Sequence, residues 1–209
     1  ASKAVSKVAA NDETAKASSE ADLTIGVTEK LKEVMESNSF SSAYTPVANT
    51  GGSILIVSGT SNKFSLYTTE ILTAEGLNGY SASDVSAVTA DMLGNYDVVI
   101  IGNIPLTDAQ VTMFNNWTNA GGTLIALRPD AKLAPLLGLT SAGGTLTDSY
   151  LLVHTSNGPG VGIVNQTIQY QGTADLYTTT SGTTKIAMLY SGASTATNYP
   201  AVTLRSVGS

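Results

Sequence analysis

Residues Ile100 to Asp130 read IIGNIPLTDAQVTMFNNWTNAGGTLIALRPD. The apolar start belongs to YDVVIIGN, residues 96–103, a run of the kind that forms a strand buried on both faces. Thr107 followed three residues later by Gln110 is a capping box, which sets a helix start by satisfying two backbone N–H groups at once. From there Val111, Phe114 and Trp117 recur at helical spacing and predict one inward face. Gly121 and Gly122 end the helix, and TLIALRP, residues 123–129, returns to a strand pattern. The stretch predicts strand, helix and strand, the unit that builds a parallel sheet.

Upstream, SILIVSG (residues 53–59) is a further buried-strand run, and LYTTEILTAEG (66–76) follows at helical spacing with Gly76 as its stop. A short strand over Gly79 to Ala82 and a helical turn over Val88 to Leu93 lead back to residue 96. The fold class predicted is α/β, a doubly wound, mostly parallel sheet of flavodoxin-like type. After Gly138, TLTDSYLLVHT, QTIQYQGTADLYT, TKIAMLYSG and AVTLRSVG carry β-branched and aromatic residues between Gly, Asn and Ser turns, and predict a C-terminal hairpin-rich portion. Such a portion can extend one edge of the parallel sheet within a single domain over residues 51–209.

Residues 1–50 differ. They hold Lys3, Lys7, Lys16, Lys30 and Lys32, five of the ten basic residues, and no strand pattern. Within DLTIGVTEKLKEVMES, Val27, Leu31, Val34 and Met35 form one apolar stripe, so a helical extension is expected, with residues 37–52 as its linker. The stripe needs a surface to cover it, either on its own domain or on another copy, which makes a homo-oligomer or another protein chain the expected partner.

Across 209 residues, 42% are hydrophobic but only 12% charged, the polar remainder being rich in Ser, Thr, Asn and Gly. Such a bias is commoner on exported proteins than in cytosol, and the start ASKAVSK, without a signal-peptide pattern, fits a mature secreted or cell-surface chain. A net charge of -6 and ten basic residues argue against nucleic acid. No apolar run reaches membrane-spanning length. With no Cys and one His, thiol chemistry, zinc–thiolate centres and most His-based metal sites are excluded, and no metal or cofactor is expected.

The order of pieces, with YDVVIIGN and AGGTLIALRPD, resembles the class I glutamine amidotransferase-like fold, in particular its degenerate members found as modules in large secreted bacterial proteins. The resemblance implies an amidotransferase-like sheet, and in catalytic members a G-x-C-x-G turn after the strand matching TLIALRP, with a His-x-Glu pair downstream. Here Ala126, Leu127 and Arg128 occupy that turn. His154 has no acidic residue two positions on. The implied reading is the fold without the reaction.

Ligands of open α/β sheets bind outside the carboxyl ends of the strands, which makes Ser58, Asn62, Lys63, Asn103, Arg128 and Asp130 the candidate binding residues. Arg128 there could fork onto an anion. Local duties account for the same residues: Asp130 as the cap of a short helix, Arg128 paired with Asp130 or a neighbour, Asn103 serving the turn before Pro105. Two functions follow from the sequence: a non-catalytic extracellular structural or interaction module, self-assembling through Val27, Leu31, Val34 and Met35, or a small-ligand or carbohydrate-binding domain using the strand-end crevice.

Overall fold

The computed structural model describes residues 52–208. The expected helical extension, with Val27, Leu31, Val34 and Met35, lies outside the described residues.

Strand β1 (Ile54–Ser58) is followed by a 3-10 turn, Lys63–Leu66, and helix α1 (Tyr67–Ala74). Then come β2 (Tyr80–Asp84), the short helix α2 (Ala90–Leu93), β3 (Val98–Ile101), α3 (Asp108–Asn119) and β4 (Thr123–Ala126). The four strands form a parallel sheet in the order β2-β1-β3-β4. Register sets Val57 beside Ile101 and Ile101 beside Ala126, so β1, β3 and β4 end abreast at one rim.

The apolar runs fold this way because both of their faces find cover. Leu55, Val57, Val99 and Ile101 pack with Leu93 of α2, Phe114 of α3 and Leu133 in one buried cluster. Ile56 and Ile100, of the opposite strand parity, are buried as well. Phe114 is fully enclosed, a burial that contributes about 1.5–3 kcal/mol. Both hydrogen bonds of the capping box at Thr107 and Gln110 are made. Gly122 has a steric reason: a Cβ there would lie 2.3 Å from the Trp117 indole, so only glycine lets the ring fold over the start of β4.

The remaining strands are β5 (Leu139–Thr147), β6 (Tyr150–Val153), β7 (Ile168–Gln169), β8 (Thr173–Thr179), β9 (Thr183–Gly192) and β10 (Thr195–Arg205). They do not extend an edge of the parallel sheet. β5 pairs with β8 alone, and β10-β9-β6-β7 make a separate antiparallel sheet. The physical reason lies at the end of β4, where Arg128 adopts a left-handed conformation (φ 48) and Pro129 has no N–H to donate. A 3-10 turn, Ala131–Leu133, then buries Leu133 in the core cluster before β5 begins. Among the described residues no helix is long and apolar enough to cross a membrane.

Candidate functional site

The rim where β1, β3 and β4 end collects most of the polar residues singled out from the sequence, and most are already engaged. Asn62 caps the 3-10 turn through its Oδ1, which accepts from the Phe64 N–H at 3.1 Å, while its Nδ2 donates to the Asn103 carbonyl at 2.7 Å. That second bond ties the loop after β1 to the loop after β3. Because the strand order reverses at β1, these are the two loops that would flank a ligand at the switch point. Ser58 is buried, its hydroxyl near the Ser83 carbonyl at 3.4 Å, and Lys63 is exposed. Ser58 and Lys63 therefore do not converge with the others on one site.

Arg128 occupies the position after β4 where the resemblance would place a nucleophile. Its guanidinium forks onto Asp175 of β8, with Nε 2.9 Å from Oδ2 and NH2 3.2 Å from Oδ1. The hydrogen bond to Asp175 raises the guanidinium above its ordinary pKa, against a smaller loss from burial. Both side chains are partly solvated, at 44% and 32% exposure, so the pair contributes at most about 1 kcal/mol. A non-glycine residue at positive φ costs about 1–3 kcal/mol, which marks this turn as strained. The sequence offered Asp130 or another neighbour as the partner of Arg128; the partner is 47 residues away.

Asp130 caps the following 3-10 turn, as a helix-capping aspartate would, accepting from the Lys132 N–H at 2.9 Å, and with its other oxygen it accepts from the Leu106 N–H at 2.9 Å. Lys132 adds a second tie, donating to the Leu106 carbonyl at 3.1 Å and to Asp108 Oδ1 at 2.8 Å. That bond lowers the Asp108 carboxyl and raises the Lys132 ammonium. Every carboxylate oxygen of Asp130 and Asp175 thus already accepts an N–H.

Beside these ties an open crevice of about 570 Å³ lies between the ends of β3 and β4 and the paired strands β5 and β8. The strand loops contribute Asn103, Pro105, Asp130 and their neighbours; the β5/β8 pair contributes Ser141, Gly144, Thr145, Asp175 and Tyr177. Sequence reasoning missed the residues of that pair. Ser141 pairs with Tyr177 and Thr145 with Asp175, and the register shifts between these pairs at Gly143 and Gly144, both at positive φ. Two glycines inside a strand are the signal that could have found them, because they mark a bulge where a strand bends. Burial is the main cause raising the Tyr177 phenol above its ordinary pKa, with Asp175 and Asp130 adding to it.

His154 stands apart, exposed just after β6 with Nδ1 3.1 Å from the Lys185 carbonyl. Among the described residues no group of three or more His, Cys, Asp or Glu could hold a metal ion.

No family model matches the sequence, and none of the curated proteins matches it. Among solved structures, the exo-β-1,4-mannosidase from Opitutaceae bacterium strain TAV5 is similar with a TM-score of 0.54 at 13% identity. The likeness covers 76% of this chain and 30% of that one, so the chain spans less than a third of the mannosidase's length. At that identity the likeness is one of fold alone. A β-galactosidase from Bifidobacterium adolescentis gives a TM-score of 0.34 at 12% identity over 76% of this chain and 91% of that one, and nothing further rests on it.

Proposed function

We propose that the chain is a non-catalytic interaction module of a secreted or cell-surface bacterial protein, built on the doubly wound, amidotransferase-like arrangement its motifs resemble. The observation that carries this reading is Arg128. The turn after β4 has a strained backbone, as a nucleophile-bearing elbow does, yet the Arg128 side chain forks onto Asp175 and ties the β5/β8 strand pair to the sheet. Asp130, Asn62 and Lys132 are likewise engaged in loop-to-loop ties. A fold likeness limited to 30% of a mannosidase is in keeping with a module carried within a larger protein.

Interaction is supported by the apolar side chains left on the surface. Phe64, Tyr67 and Ile71 follow one another along α1 and the turn before it, and Ile125 and Leu127 lie two residues apart at the sheet edge. Runs of this kind mark surfaces that other chains cover. With the stripe at Val27, Leu31, Val34 and Met35, they make homo-oligomerisation the expected mode. Sedimentation velocity tests it: the full chain should gain mass with concentration, and residues 51–209 should do so less. A monomer at every concentration would refute self-assembly, and equal association of the two chains would refute a role for residues 1–50 in it.

The alternative, a domain that holds a small ligand or carbohydrate at the strand ends, is favoured by one observation, the crevice beside the β5/β8 strand pair.

A further inference from the structure

The crevice has a chemical character that narrows what it can hold. Its volume of about 570 Å³ falls in the range of small-molecule sites, roughly 300–1,000 Å³, and is far larger than a bare ion needs. Two carboxylates, Asp130 and Asp175, line it, and no Lys, Arg or His does. The nearest cations are spoken for, Arg128 by Asp175 and Lys132 by Asp108. An anionic ligand would therefore meet the carboxylates with no cation in the crevice lining free to bind it.

The hydrogen-bonding inventory points the same way. Each carboxylate has used two N–H contacts of the roughly four that a carboxylate can accept, which leaves acceptor capacity for hydroxyl donors. Among the described residues the Asn103 side-chain amide, the Thr145 hydroxyl and the Tyr177 hydroxyl make no hydrogen bond. Those three groups both donate and accept. The half-buried Tyr177 ring adds an apolar surface beside its polar tip. Pro105, Pro129 and Ile104 supply further apolar wall.

We propose that the crevice between the β3 and β4 loops and the β5/β8 strand pair is a binding site for a neutral, polyhydroxylated ligand, a sugar, held by Asn103, Thr145, Asp130, Asp175 and Tyr177. The sugar hydroxyls donate to the two carboxylates and exchange hydrogen bonds with Asn103, Thr145 and the Tyr177 hydroxyl, while one sugar face lies against the tyrosine ring. Arg128 positions the site without touching the ligand, since its fork fixes Asp175 and so β8. This inference rests on the ligand-holding reading and specifies its chemistry. It requires no bond to break, so the sugar leaves as it entered.

The test is a titration of the isotope-labelled full chain, following backbone amide resonances. The probes are D-mannose, D-galactose and D-glucose, with D-glucuronate as the anionic counterpart. At least one neutral hexose should shift the amides of residues 103–105, 129–131, 141–145 and 175–177 in a saturable way, and glucuronate should bind more weakly. Asn103→Ala removes the amide but keeps the backbone carbonyl that Asn62 uses, and Tyr177→Phe keeps the ring. Each should weaken the hexose about tenfold, as the loss of a hydrogen bond predicts. His154→Ala, remote from the crevice, should leave affinity unchanged. Glucuronate binding with no hexose binding would overturn the neutral-sugar assignment while leaving a ligand site. No binding of any probe, or affinities indifferent to both crevice variants, would overturn the site itself.

Discussion

The two halves of the described chain are both built on sheets, yet they are held differently. In the parallel half, β1 and β3 are buried along nearly their whole length, with Leu55, Ile56, Val57, Val99 and Ile101 at or near zero exposure. In the antiparallel half β5 is exposed at seven of its nine positions, and the buried apolar residues of the four-stranded sheet reduce to Ala187 and Leu189 on β9 and Pro200 on β10. The first half is fixed by an apolar layer and can tolerate variation at its rim. The second has little core of its own and is joined to the first by polar ties: Arg128 to Asp175, and Arg205 NH1 to the Pro135 carbonyl at 3.1 Å. A strand-end arginine that connects the halves has a structural reason to exist.

The largest effect should come from the core. Phe114→Ala empties a fully buried site and is expected to cost about 3–5 kcal/mol in urea unfolding. Leu204→Ala on β10, where the side chain is 55% exposed, should stay within about 0.5 kcal/mol. Equal costs would erase the contrast between the halves.

The junction gives a smaller effect with a definite sign. Arg128→Ala loses the fork to Asp175 and keeps the left-handed backbone; Arg128→Gly loses the fork but relieves the strain. The glycine variant should be the more stable of the two by about 1 kcal/mol. If alanine is tolerated better, the turn is not strained as described.

How much of this was legible in the sequence follows from the range of the interactions involved. The parallel strands, the capping box at Thr107 and Gln110 and the cap at Asp130 depend on residues a few positions apart, and SILIVSG and YDVVIIGN announce their burial by composition. The antiparallel half was legible as strands but not as a pairing, because β5 meets β8 across the intervening β6 and β7, and nothing local specifies that choice. The same gap hid the partner of Arg128 and left Ser141, Thr145 and Tyr177 out of the candidate site. Asn103 and Asp130 were found because the ends of parallel strands can be located without knowing what covers them.

The smallest effect expected is one of pH. Hydrogen bonds from the Ser86 hydroxyl and N–H hold the Asp84 carboxyl below its ordinary pKa. A depressed carboxyl stabilises the fold above its unfolded value and loses that contribution as pH falls through the folded value. Hydrogen exchange at residues 84–87 should therefore quicken only below the ordinary aspartate range, and Asp84→Asn should flatten that change. Unaltered acid sensitivity in the variant would assign the effect to another group.

The account turns on Arg128 being structural, and an amide-hydrolysis assay tests that most directly. Ammonia release from glutamine should be followed for the full chain and for Arg128→Ala under identical conditions. The account predicts no release above buffer from either protein. Release by the full chain that disappears on substitution of Arg128 would show chemistry at the strand end and contradict it.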